Sequence, residues 1–268
     1  MDGELGLSSY IYFWSIQYLG LSSKDLVERT AELGLRVLQI CDNLPLLGLS
    51  ERELDALKNV ARERNVILEV GTRGFDPAEM HEYIRITERL EAKILRFVPW
   101  MGNEDRRAVS VDEIVAFLTP LLPACQERGI TMAIENHFDV ADEDLAEVVR
   151  RINHPNLGTC LDTTNSTGLL QHPMKTTEIL APYAVSLHLK DYYVTKKGPK
   201  GYTISGCPLG TGWQDLPALI REVEKYNRPM NTLLELWTEP CDTPEETMHK
   251  EQAWIEQSAA HAKNLLKM

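Results

Sequence analysis

Eight short apolar runs recur along the chain, and stretches of helical periodicity separate them. The runs lie at 10–16, 36–41, 66–70, 94–99, 130–135, 157–162, 184–189 and 232–236. Each is bounded by turn residues, and most are too short for a helix. Helix start signals fall between them. Ser50 precedes Glu53, Asp76 precedes Pro77 and Glu79, Ser110 precedes Glu113, and Thr243 precedes Pro244 and Glu246. In each case a side-chain oxygen accepts from free backbone N–H groups, and the acid that follows suits the positive end of a helix. Leu54, Leu57 and Ala61 share one helical face, as do Leu145, Val148, Val149 and Ile152. Shorter helices are expected after Ser22 and after Asp215, and a less patterned one over 173–180.

Such alternation implies parallel strands joined by helical crossovers. Eight units close into a (β/α)8 barrel, so the predicted fold is α/β, one TIM-barrel domain over residues 1–268. An open doubly wound sheet is the alternative. It loses ground because no G-x-G-x-x-G follows the first run. Residues 192–212 hold five glycines and two prolines. This segment is expected to be an irregular loop acting as a lid or binding loop.

Composition narrows the function. With 43% hydrophobic residues, a chain of 268 can bury the core of one barrel. The formal net charge of -12 repels phosphate backbones, so no nucleic-acid partner is expected. The cysteines at 41, 125, 160, 207 and 241 form no CxxC pair, and their number is odd. That fits a reduced, cytoplasmic chain. The start Met1-Asp2-Gly3-Glu4 is acidic and reads as no signal peptide. No apolar run approaches the roughly 20 residues of a membrane span, so no membrane partner is expected.

Four runs end alike. Glu135 closes one, Asp162 the next, His188 lies near the end of the third, and Glu235 near the end of the last. In a (β/α)8 barrel, function sits at the C-terminal ends of the strands. Side chains alternate along a strand, so Glu135 and His137 point the same way, as do His188 and Lys190. Three carboxylates and one imidazole make a donor set for one divalent ion, with positions left for substrate oxygens. Mn²⁺ leads the expectation, with Mg²⁺, Co²⁺ or Zn²⁺ as alternatives. A cation also explains how three acids share a buried site, because their repulsion would otherwise raise at least one pKa strongly. Plainer roles exist for each residue. A lone acid at a strand end is usually a loop cap or ion-pair partner. The joint placement of four argues for the ligand set. His137 could only orient Glu135, Lys190 could only pair with Asp191 or Glu235, and Asn165 could only shape a turn. Trp100 and Trp237 are packing residues or sugar-stacking platforms. Glu69 and Arg73 pair with each other or touch substrate.

The segments IENH (134–137), GTCLDTTN (158–165), SLHLKD (186–191) and LLELW (233–237) resemble strands five to eight of the xylose-isomerase-like barrel superfamily. That superfamily includes sugar phosphate isomerases and epimerases, keto-sugar epimerases, inosose dehydratases and endonuclease-IV-type enzymes. The run HLKDYYV followed by ISGCPLGTG is similar to a subgroup that handles keto-sugars and keto-sugar acids. The resemblance implies metal ligands at Glu135, Asp162, His188 and Glu235, and a small carbohydrate or sugar-acid substrate. It is compatible with a homo-oligomer. There are departures. Asn165 stands where keto-sugar epimerases usually carry His, Ala141 stands where they carry Glu, and the Arg that typically follows the metal His is missing, with Lys190 close by.

A metal chelated by adjacent carbonyl and hydroxyl oxygens stabilises the enediolate formed when a proton, or CO2, leaves the neighbouring carbon. Isomerisation or epimerisation of a keto-sugar is the first expectation, with Glu135 and Glu235 on opposite faces of the substrate. The alternative is a lyase that decarboxylates a 3-oxo sugar acid or dehydrates an inosose. There Lys190 would hold a carboxylate and His137 would return a proton. A non-catalytic sugar-binding barrel and a DNA-repair endonuclease are further readings. The intact ligand set speaks against the first, and the acidic charge against the second.

Overall fold

The computed structural model describes residues 3–100 and 109–267. Its strands are β1 (Leu5–Ser8), β2 (Val37–Ile40), β3 (Ile67–Arg73), β4 (Ile94–Val98), β5 (Thr131–Glu135), β6 (Leu157–Asp162), β7 (Ala184–Leu189), β8 (Tyr192–Lys196), β9 (Tyr202–Gly206) and β10 (Asn231–Leu234). The α-helices are α1 (Phe13–Leu19), α2 (Ser23–Glu32), α3 (Glu51–Glu63), α4 (Pro77–Arg89), α5 (Val111–Leu118), α6 (Leu122–Arg128), α7 (Asp142–Ile152), α8 (Pro173–Leu180), α9 (Leu216–Glu224) and α10 (Pro244–Leu266). All strands except β8 and β9 pair in parallel and close a barrel in the order β1-β10-β7-β6-β5-β4-β3-β2. The predicted (β/α)8 barrel is therefore observed.

The caps hold the helices where the sequence placed them. Ser22, Ser50 and Ser110 each form a full capping box with the acid three residues on. Asp76 accepts from the N–H groups of Ala78 and Glu79, and Thr243 from that of Glu246.

Two expectations are corrected. The first strand is β1, and 10–16 instead form a 3₁₀ turn (Ser9–Tyr12) running into α1. The aromatic, β-branched composition of 10–16 mimics a strand. The Ser8 hydroxyl accepts from the Tyr10 N–H and ends the extended run before it. β1 needs its glycine because it lies close to β2: a Cβ on Gly6 would sit 2.2 Å from the Val37 carbonyl oxygen. The second correction concerns 192–212. It contains the antiparallel hairpin β8–β9, paired from Tyr192↔Gly206 to Lys196↔Tyr202, outside the barrel sheet.

Alternation along the strands divides the interior into two environments. Leu38, Ile40, Leu68, Val70, Leu95, Phe97, Met132, Ile134, Leu161, Leu187 and Leu189 belong to the apolar core, which also includes the inner faces of the helices. The alternate positions are small or polar: Ser8, Gln39, Cys41, Glu69, Gly71, Arg96, Ala133, Glu135, Asp162, Ser186 and His188. Barrels commonly fill this lumen with branched apolar side chains. Here buried hydrogen bonds fill much of it. The cysteines are all free, with Cys241 exposed and the others buried. Met1 and Asp2, read above for a leader, lie outside the described residues. Among the described residues no helix is long and apolar enough to cross a membrane.

Candidate metal centre

Glu135 ends β5, Asp162 ends β6, His188 is the penultimate residue of β7, and Glu235 follows β10. Strand register sets them level: Asp162 pairs with His188, and Leu233 pairs with His188 across the next boundary. All four side chains are buried. One donor atom from each lies within 4.8 Å of the others. The His188 Nδ1 atom is 3.7 Å from Glu135 Oε1, 3.7 Å from Asp162 Oδ2 and 3.3 Å from Glu235 Oε2.

Two of these atoms, His188 Nδ1 and Glu235 Oε2, are buried without a hydrogen-bond partner, and Asp162 Oδ2 has only an ion-pair partner, Lys190. A buried polar atom left unpaired costs about 1–3 kcal/mol, and a cation between them would remove that cost. The donor set is nitrogen and oxygen with no thiolate, which suits Mn²⁺, Mg²⁺ or Zn²⁺. An overlapping group of Glu135, Cys160 and His188 also clusters. Burial pushes the Cys160 thiol up, which keeps it protonated and a poor ligand.

Lys190 lies among the clustered residues. Its Nζ is 2.9 Å from Asp162 Oδ2, 2.6 Å from Glu235 Oε1 and 2.9 Å from Asn165 Oδ1, and it stands 5.0 Å from the Trp237 ring centroid. Burial alone would lower its pKa. The carboxylates of Asp162, Glu235 and Glu135 outweigh that and raise it, so the group is an ammonium. Asp191 is not its partner. That carboxylate instead accepts backbone N–H groups from Tyr192, Gly210, Gly212 and Gln214, and so ties down both ends of the hairpin segment. Gly212 is required there, because a Cβ would lie 2.2 Å from Asp191 Oδ1. Asn165 donates to Glu135 Oε1 at 2.8 Å while its oxygen faces Lys190, which makes it a link between ligand and cation.

Arg96 was not singled out in the sequence. Its Nε donates to Glu135 Oε2 and its Nη1 donates to Asp42 Oδ1 at 2.8 Å. Asp42 also accepts from the Tyr10 hydroxyl at 2.6 Å and pairs with Arg73. The available signal was a charged residue at an inward position of an otherwise apolar run, which demands a buried partner.

A cavity of about 650 Å³ opens above this cluster. Glu135, His137, Asn165, Lys190, Glu235 and Trp237 line it, as do Arg73 and Arg96, and Phe13, Trp14, Phe138 and Ile204 give it apolar walls. His137 Nδ1 lies 2.6 Å from Asp139 Oδ2. Two predicted substrate contacts stand elsewhere. Glu69 is buried and hydrogen-bonded to Gln39 and Asn231, away from both Arg73 and the cavity lining. Trp100 lies beneath the Arg73 guanidinium, 4.9 Å from ring centroid to carbon, and is absent from the lining.

Residues 27–258 match the sequence profile of the xylose isomerase-like TIM barrel family. A curated relative, the 3-oxo-isoapionate decarboxylase of Pectobacterium atrosepticum, is 35% identical over 260 residues, covering 95% of this chain and 93% of that protein. The D-psicose 3-epimerase of Clostridium cellulolyticum H10, solved with D-tagatose, superposes with TM-score 0.76 at 14% identity, covering 98% of each chain. The D-allulose 3-epimerase of Methylomonas sp., solved with D-allulose, gives TM-score 0.73 at 15% identity over 98% of this chain and 97% of that one. The barrel, the profile match and the identity to a curated relative agree: this chain belongs to the xylose isomerase-like TIM barrel family.

Proposed function

We propose that the protein is a divalent-metal-dependent lyase that decarboxylates a 3-oxo sugar acid. The observation that carries this reading is the Lys190 ammonium, buried between two members of the ligand set. Four carboxylates (Glu135, Asp162, Glu235, Asp42) meet three cations (Arg96, Lys190, Arg73), which leaves one net negative charge. A divalent ion turns that into one positive charge, and a monoanionic substrate neutralises it. A neutral ketose would not. The 35% identical decarboxylase points the same way.

When bound, a divalent ion held by Glu135, Asp162, His188 and Glu235 supplies Lewis-acid stabilisation of negative charge on substrate oxygens. The chain's residues do the rest. Lys190 attracts the substrate carboxylate by its charge and donates to it once one of its three present acceptors, Asp162, Glu235 or Asn165, gives way. The apolar walls of Phe138, Ile204 and Trp237 keep water from that carboxylate and favour its loss as neutral CO2. The C–C bonding pair stays on the substrate as an enolate. His137, lining the cavity and oriented by Asp139, is placed to deliver the proton that completes the ketone.

Epimerisation or isomerisation of a keto-sugar, the first expectation from sequence, is the second reading. Glu135 and Glu235 both reach the cavity and would serve as its acid and base. However, each is already paired, with Arg96 and Lys190 respectively, which weakens both as bases. The test is a parallel assay of the Mn²⁺-loaded protein. CO2 release from 3-oxo sugar acids, 3-oxo-isoapionate included, is the expected result. Solvent deuterium entering ketoses with no CO2 from any acid would hand the site to the epimerase reading.

A further inference from the structure

A chain of hydrogen bonds, partly buried at its start and fully buried from Glu69 onward, crosses the barrel lumen behind His188. It starts at the backbone N–H of Glu4, which donates to Asn231 Oδ1 at 3.1 Å. Asn231 Nδ2 donates to Glu69 Oε1 at 2.8 Å. Gln39 Nε2 donates to Glu69 Oε2 at 2.9 Å, and Gln39 Oε1 lies 3.0 Å from His188 Nε2. Cys41 Sγ, 3.3 Å away, is a second donor to Gln39 Oε1. Gln39 and Glu69 face each other on neighbouring strands, while His188 comes from the far side of the barrel.

We infer that this relay, Asn231–Glu69–Gln39, sets the tautomer of His188 and so makes Nδ1 a metal ligand; Gln39 and Glu69 are positioning residues. A backbone N–H can only donate, so the Asn231 oxygen must face Glu4 and its NH2 must face Glu69. The Glu69 carboxylate then accepts on both oxygens. Gln39 must turn its NH2 to Glu69, since the opposite flip sets two acceptors face to face. Its oxygen is left for His188 and accepts only from an Nε2–H. In a neutral imidazole this leaves the Nδ1 lone pair, and that atom is the unpartnered one aimed at the three carboxylates. Second-sphere partners of this kind fix ring orientation and ligand basicity. The relay also accounts for a buried glutamate with no cation beside it. Burial pushes the Glu69 carboxyl above its ordinary value, and the donors Asn231 and Gln39 offset this in part.

The inference rests on the metal reading of the site but not on the reaction assigned to it. The test uses Mn²⁺ equilibrium dialysis together with nitrogen NMR of ¹⁵N-histidine-labelled, Zn²⁺-loaded protein, the His188 signal being assigned by its loss in His188→Asn. Gln39→Met removes the acceptor, and Glu69→Gln lets the middle of the relay donate. Each is expected to weaken Mn²⁺ binding by about 10- to 100-fold, and to leave His188 without a single Nε2–H signal. The exchange variant Glu69→Gln with Gln39→Glu reverses the middle bond, so that residue 69 donates to residue 39, but keeps both ends: residue 69 still accepts from Asn231 and residue 39 still accepts from His188 Nε2–H. It is expected to restore binding to within a few-fold and to restore the Nε2–H signal. A merely structural role predicts no such recovery. Wild-type affinity and an unchanged Nε2–H signal in Gln39→Met would overturn the relay and leave the metal centre standing. A wild-type protein that takes up neither ion overturns both.

Discussion

Lys190 is the residue whose placement says most. An ammonium with almost no exposure lines the cavity, and the carboxylates of Asp162, Glu235 and Glu135 hold it charged. Lys190→Met keeps the stem and removes the charge. It is expected to lower kcat by about 10²- to 10³-fold, the scale of removing one preorganised electrostatic group, while Mn²⁺ still binds. Steady-state kinetics beside dialysis checks this, and unchanged turnover would remove the carboxylate-anchoring role. Asp42 offers a pH test. Burial pushes its carboxyl up, but Arg96 and Arg73 outweigh that and hold it below the usual carboxylate range. Its stabilising contribution is fully present above the unfolded pKa of about 4 and is lost as pH falls through the lower folded value. Urea unfolding in chelator should therefore show a wide gap between wild type and Asp42→Asn at pH 7 and a narrower one at pH 3. A gap that widens in acid would contradict the ion-pair assignment. The four clustered residues, Glu135, Asp162, His188 and Glu235, were legible in the sequence because each stands near the end of an apolar run. Arg96, Gln39 and the role of Glu69 were not, because their partners lie on other strands. Gln39 and His188 are 149 residues apart, and no local pattern records a bond across a lumen.

Among elements, helices were the easier to read. Ser50 and Glu53 announce α3 by a bond pattern confined to four residues, and the structure contains it. β1 was misplaced because its sequence, Leu5–Ser8, is short and half of it is Gly and Ser, whereas the aromatic 10–16 looks like a better strand. What selects β1 is tertiary: Gly6 lets two strands approach and complete the barrel seam between β10 and β2. Gly6→Ala should then lower stability by about 1–3 kcal/mol, the usual scale of an overpacking strain. Denaturant titration measures it, and a neutral result would mean that β1 can move away from β2 at no penalty. The wall built by α1 depends on a distant element too. Glu251 of α10 accepts from the N–H groups of Trp14 and Ser15 and from the Ser15 hydroxyl, which anchors the start of α1.

For the whole molecule, the proposed metal centre would couple chemistry to stability. The residues that would hold the ion come from β5, β6, β7 and the end of β10, which together make a contiguous half of the barrel. An ion that binds only the folded chain stabilises it by about 2.7 kcal/mol at 100 times its Kd. Chelation should lower Tm by about 5–10 °C from the Mn²⁺-saturated value. A melting curve indifferent to chelator and to added Mn²⁺ would argue against the site. The hairpin β8–β9 stands apart from this economy of strands. It contributes Ile204, Ser205 and Gly206 to the cavity wall, is moored by Asp191 at its base and by Ser205 to Glu239, and pairs with no barrel strand. Substitutions near its tip, between Lys196 and Tyr202, leave the barrel register untouched. The stretch of cavity wall built by Ile204, Ser205 and Gly206 can therefore vary without disturbing the strands that carry Glu135, Asp162, His188 and Glu235.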